Sequence, residues 1–223
     1  MDKRTFDTRK IAVLAMLSAI ASVLMLVVRL SIIPAAPFLI YDPKDIIIVI
    51  GGFIYGPLAV IPMAIIVAFV EMVTVSADGW VGFLMNVIST LAFACTAALI
   101  YKRIHSVKGA ILGLVVGVIF TTVIMILWNY IITPGYRGVP RAVIVAMIPT
   151  VFLPFNLIKY GLSAATAMLV YKPLSIIMKK TGILKESEQK PMTTRSIVVG
   201  VITAICLAVV PAVLLILVIQ GVI

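Results

Sequence analysis

Six near-continuous apolar runs, at about 11–33, 46–74, 82–101, 108–132, 142–171 and 196–222, leave this chain few ways to fold. Each is long enough to cross the ~30 Å hydrocarbon core of a bilayer as a helix, and none shows the short alternating segments of a membrane barrel. Backbone groups in lipid must satisfy their hydrogen bonds internally, so the fold class predicted is an all-α integral membrane protein. Composition agrees, since 63% of the 223 residues are hydrophobic and 12% charged, too little polar surface to coat a water-soluble globule. No cleavable leader is expected, because the first run follows MDKRTFDTRK and continues without a small-residue cleavage site. Cys95 and Cys206 both fall in apolar runs, where they read as small hydrophobes rather than a disulfide.

The run at 46–74 is too long for one simple span. Gly56-Pro57, within IYGPLAVIP, punctuates it and predicts two helices meeting at a tight turn. Charge arbitrates. A single crossing would put KRIHSVK, 102–108, opposite the basic N-terminus, whereas two crossings bring every basic loop to one side, as the positive-inside rule requires. Seven crossings then collect 13 of the 18 lysines and arginines on the cytoplasmic face, together with the N-terminus. Lys44, Arg137 and Arg141 fall in outer loops beside Asp42, Asp45 and Asp78, while Arg29 and Lys159 lie within apolar runs. The net charge of +10 is therefore a topology signal and not a nucleic-acid surface. The polar segment KKTGILKESEQKPMTTR divides the chain into a six-helix body at 1–178, a cytoplasmic linker at 179–195 and an additional C-terminal transmembrane helix at 196–223. That last helix has no ionisable group and a kink expected at Pro211, so it reads as a peripheral span.

Several chemistries are missing from the sequence. There is no G-x-x-x-x-G-K-[ST] loop for ATP, and His105, the only histidine, has no H-E-x-x-H or acidic cluster to join. An intramembrane hydrolase would need Lys159 to meet a helix serine, and a stand-alone secondary transporter usually carries an internal repeat that inspection does not find here.

Ligand binding fits the polar residues better. A lysine in a membrane helix costs about 2.5–3.5 kcal/mol on insertion scales, so Lys159 either faces a protein cavity or snorkels to outer water. Asn156, three residues earlier, shares its helix face. Asn129 lies beside Trp128 and Tyr130 near the outer end of its run, and Asn86 near the outer end of another, where it serves equally as helix–helix glue. The loop PAAPFLIYDPKDI, 34–46, has two X-Pro restrictions and the aromatics Phe38 and Tyr41, which stiffen it enough to act as a lid. Glu71 and Arg29 can pair or cap the site, but spacing does not fix their helical phase, so neither is placed in the binding core. These residues predict an outward-facing pocket for a flat, polar-edged, largely uncharged molecule. Toward the cytoplasmic half, Ala12, Ala15, Ala19 and Ser22 form a small-residue face, and Gly109, Gly113 and Gly117 form another. Each suits close packing, within the bundle or, for the first, against an external helix.

The segments FLIYDPKDI and GGFIYGPLAV, then WNY, then FNLIKYG, occur in an order and spacing that resembles the substrate-binding S components of energy-coupling factor (ECF) vitamin transporters, and among them the riboflavin-specific type. The likeness covers roughly residues 8 to 180. It implies a six-helix S-component bundle that captures riboflavin from outside and is not itself an enzyme. It also implies association with an EcfT-type membrane scaffold and two cytoplasmic ATPase subunits that use the ATP, with no cofactor or metal of its own. By the same resemblance Leu39, Tyr41 and Asp42 line the loop side of the vitamin site, Asn86, Asn129, Asn156 and Lys159 hydrogen-bond the flavin, and Ala15 and Ala19 dock the scaffold. The helix at 196–222 departs from that six-helix pattern. Another small vitamin or a nucleobase is the alternative substrate, and an intramembrane enzyme the alternative class.

Overall fold

The computed structural model describes residues 8–34 and 36–180, with side-chain environments up to 171, and isolated positions between 205 and 220. Helix α1 covers Thr8–Val27, and an irregular stretch with a two-stranded hairpin, β1 (Leu30–Ser31) and β2 (Ile40–Tyr41), leads to α2 (Lys44–Tyr55) and α3 (Pro57–Thr74). A fourth rod joins α4 (Gly79–Thr90), a π-helical turn (Leu91–Cys95) and α5 (Thr96–Arg103). Helix α6 (Val107–Ile131) follows, then the short α7 (Thr133–Arg137). A last rod joins α8 (Arg141–Met147), a second π-helical turn (Ile148–Phe152) and α9 (Leu153–Lys180).

Among the described residues, five helical units are long and apolar enough to cross a membrane: Thr8–Val27, Pro57–Thr74, Gly79–Arg103, Val107–Ile131 and Arg141–Tyr171. The apolar run at 46–74 is divided as expected, because Gly56 adopts φ +88° and ψ 171°, a conformation essentially restricted to glycine, and Pro57 starts the next helix at a position where its missing N–H is harmless. Helix α2, however, has 12 residues. At 1.5 Å per residue it extends only about 18 Å, well short of the hydrocarbon thickness. It is instead the central element. Every residue from Lys44 to Phe53 is buried, as an all-round apolar helix should be, against α1, α3, α5 and α9.

Glycines set how closely two rods approach. A Cβ on Gly113 would fall 2.6 Å from the Ala97 carbonyl oxygen, and one on Gly117 would fall 2.9 Å from that of Phe93, so α6 lies backbone to backbone on the fourth rod. The second small-residue face therefore packs within the bundle. The first is split: Ala12, Ala15 and Ala19 are exposed beside Met16 and Ile20, whereas Ser22 is buried. Large apolar side chains such as Leu58, Ile66, Phe69 and Ile119 also point outward, as expected of a lipid-facing perimeter.

A separate apolar cluster anchors the 28–43 stretch. Ile33, Ala36 and Leu39 pack on Ile144, Val151, Phe152 and Phe155 of the last rod. The segment is thus fixed by its own small core as well as by its prolines. Helix α9 takes in the first two residues of the expected linker, while 181–195 and Cys206 lie outside the described residues, as does most of the C-terminal run. Its Pro211 is buried and sits against Gly161 of α9, where a Cβ would collide with the proline ring.

Candidate functional site

Loop 28–43 and the ends of α3, α4, α6 and α9 enclose a cavity of about 300 Å³, at the lower end of the ~300–1,000 Å³ usual for small-molecule sites. Of the residues singled out from the sequence, Leu39, Asp42, Asn86, Asn129, Asn156 and Lys159 border it. Tyr41 does not. Side chains alternate along an extended strand, so Tyr41, paired with Leu30, points away from the cavity that Ile40 and Asp42 border.

Two of the asparagines are oriented by their own helices. The Asn129 Nδ2 donates to the Met125 carbonyl at 2.7 Å and its Oδ1 accepts from the Thr133 hydroxyl at 2.9 Å. The Asn156 Nδ2 donates to the Phe152 carbonyl at 2.7 Å, at the end of the second π-helical turn. Each carboxamide is held by one N–H, which leaves the other for a ligand.

Lys159 is 6% exposed. Its Nζ donates to Asp42 Oδ2 at 2.9 Å, with a longer 3.4 Å contact to the Ile40 carbonyl. The amine therefore turns inward to a carboxylate on the loop rather than snorkelling to outer water. That carboxylate is shared. Lys44 Nζ donates to the same oxygen at 3.2 Å, to Glu71 Oε2 at 2.5 Å and to Asn86 Oδ1 at 3.1 Å. Two ammonium groups therefore face one buried carboxylate oxygen.

Lys44 is the largest revision to the sequence reading, which placed it in an outer loop. At 1% exposure it is the first residue of the central helix, and all three of its N–H donors are used by protein. It is a structural cation, whereas Lys159 retains donor capacity toward the cavity. Glu71 also joins the site, and Arg29 reaches it at 3.7 Å. A lone glutamate in the run AFVEMV was the available signal, because an acid at such a position must find a cation. Its phase became clear only when α3 packed beside the loop. Asp45 is buried next to Lys44, and one of its oxygens accepts from Thr90 at 2.6 Å.

At the outer rim, Asp78, the residue preceding α4, accepts from Arg137 Nη2 at 3.1 Å and from the Tyr136 hydroxyl at 2.7 Å through the same Oδ1. That hydrogen bond pushes the Tyr136 phenol up, so it remains a donor. The Arg137 guanidinium also stacks on Phe38, 4.3 Å from the ring centroid. Three loops meet there, and neither Asp78 nor Arg137 was singled out from sequence.

A family model described as "ECF transporter, substrate-specific component" matches residues 9–171. The chain belongs to that family. The Staphylococcus aureus protein named riboflavin transporter RibU is 29% identical to this S component over 180 residues, 78% of this chain and 94% of its own. The Bacillus subtilis riboflavin transporter FmnP is 31% identical over 161 residues, covering 68% of this chain and 84% of its own. A solved structure described as the S component of a bacterial ECF transporter superposes with a TM-score of 0.66 at 29% identity, over 77% of this chain and 98% of that one. Every residue that borders the cavity of this S component lies inside the 9–171 match.

Proposed function

We propose that this S component is the riboflavin-binding subunit of an ECF uptake system. The observation that carries the reading is convergence: carboxamides from α4, α6 and α9 and the Lys159 ammonium border one cavity, in a chain about 30% identical to two proteins named as riboflavin transporters. Riboflavin is a flat ring system with carbonyl and nitrogen acceptors at its edge and a hydroxylated tail. Leu39, Met85, Met125 and Phe155 supply apolar walls for the ring. Asn129, Asn156 and Lys159 supply donors to its edge and tail, and Asn86 contributes the N–H groups of an amide whose oxygen is held by Lys44. Leu39 and Asp42 form the loop side, with Asp42 acting through Lys159.

Transport requires energy that this chain has no phosphate loop to extract. In this reading an EcfT-type scaffold and two cytoplasmic ATPases supply it, and the scaffold docks on the exposed Ala15 and Ala19 face of α1. Six helices form the substrate body, with α2 completing one crossing together with the loop that precedes it, and 196–223 adds a seventh span. The N-terminus is cytoplasmic and the cavity opens outward.

The test is direct. Protein purified from cells should be yellow and release flavin fluorescence on denaturation, and ligand-free protein should quench added riboflavin. Colourless protein that leaves riboflavin fluorescence untouched rules the reading out and directs attention to another vitamin or a nucleobase.

A further inference from the structure

We infer that Asp78 makes the cavity select an uncharged flavin over its 5′-phosphate, by occupying Arg137, a rim arginine that would otherwise receive the phosphate. The inference rests on the riboflavin reading above and concerns what that same site refuses.

Three cations and three carboxylates border the cavity, with the buried Lys44 and Asp45 behind them, and each bordering cation has an acid within 4 Å. Lys159 lies 2.9 Å from Asp42, Arg29 3.7 Å from Glu71 and Arg137 3.1 Å from Asp78. The lining is therefore electrically balanced. A neutral ligand enters without disturbing any pair, while a phosphate brings about two negative charges that no unpaired cation at the wall can neutralise. Deep in the cavity the phosphate would face the Asp42 and Glu71 carboxylates.

At the rim the balance depends on a single residue. The Arg137 and Asp78 side chains are 33% and 26% exposed, within reach of a ligand tail emerging from the cavity. Stacking on Phe38 fixes the guanidinium in place independently of Asp78. Neutralising Asp78 thus leaves an arginine still at the mouth but without a counter-charge, and a guanidinium fork is the preferred partner for phosphate oxygens. Asp78→Asn is nearly isosteric and keeps an oxygen acceptor for Tyr136 and Arg137. The Asp78 side chain does not cap α4, and the turn before it is held by the Asp78 backbone N–H donating to Ser76 Oγ, which the substitution retains.

The experiment titrates riboflavin and riboflavin 5′-phosphate into the full-length chain in detergent, by quenching of flavin fluorescence at low and moderate salt. Wild type should bind riboflavin more tightly than the phosphate. Asp78→Asn should narrow the ratio of the two Kd values on the order of three- to tenfold, the range of a partly exposed charge contact, and the gain should shrink with salt. Adding Arg137→Gln should restore the wild-type ratio. A ratio unchanged by Asp78→Asn, or both affinities falling together, overturns the inference, as does wild type binding the two ligands equally. Failure of wild type to bind riboflavin at all is a separate result, which removes the functional reading itself.

Discussion

Lys44 and Lys159 donate to the same oxygen of Asp42 but differ in the donors they have left. All three donors of Lys44 end on buried protein acceptors, two of them carboxylates. Lys44→Met leaves Glu71 in the interior with only the distant Arg29 guanidinium, and breaking a buried pair by removing one partner costs about 3–5 kcal/mol. The expected result is a large drop in the thermal midpoint in detergent, measured on ligand-free protein. Lys159→Met should behave differently, because Asp42 keeps Lys44. That variant should remain folded but lose flavin affinity by roughly 10- to 100-fold, the worth of a hydrogen bond from a charged donor, as read by fluorescence quenching; unchanged affinity would falsify a ligand role for Lys159.

At the scale of elements, two glycines act on the bundle in different ways. Gly56 ends α2 in a backbone conformation that a side chain disfavours, although a Cβ there would meet nothing. Gly56→Ala should therefore cost about 1–3 kcal/mol through strain alone. Gly113 has an ordinary helical conformation but no room. Gly113→Leu should separate α6 from the fourth rod and shift Asn129 relative to Asn86, so it should lower both the thermal midpoint and flavin affinity, the two measured on the same preparation. The π-helical turns at Leu91–Cys95 and Ile148–Phe152 lie next to α4 and α9, which carry Asn86, Asn156 and Lys159. Each extra residue rotates the following helix relative to an unbroken 3.6-residue pattern, so side-chain phase across these rods could not be read from spacing.

For the molecule as a whole, the face proposed for docking lies apart from the cavity. The cavity is enclosed by α3, α4, α6, α9 and the loop, while Ala15 and Ala19 are exposed on α1 and border no part of it. Substituting Trp at Ala15 should leave riboflavin quenching by the isolated protein intact and abolish uptake in cells that supply the energising subunits. Parallel loss of both would place this face in the binding body instead.

Continuous apolar length and the distribution of lysine and arginine fixed a helical membrane fold from the sequence, because lipid admits few backbone solutions. The Gly56-Pro57 break was equally legible, being a local restriction on φ and ψ. The asparagines and Lys159 were visible as polar groups too costly to leave in lipid, since burial penalties act on residue type wherever the residue falls. Partner choice was not visible. Which acid faces Lys159, why Lys44 is interior and why Tyr41 turns away depend on contacts between residues as far apart as Asp42 and Lys159, and on helical phases altered by two π turns. Ion pairing acts over a few ångströms, and only the packed fold determines which charges come that close.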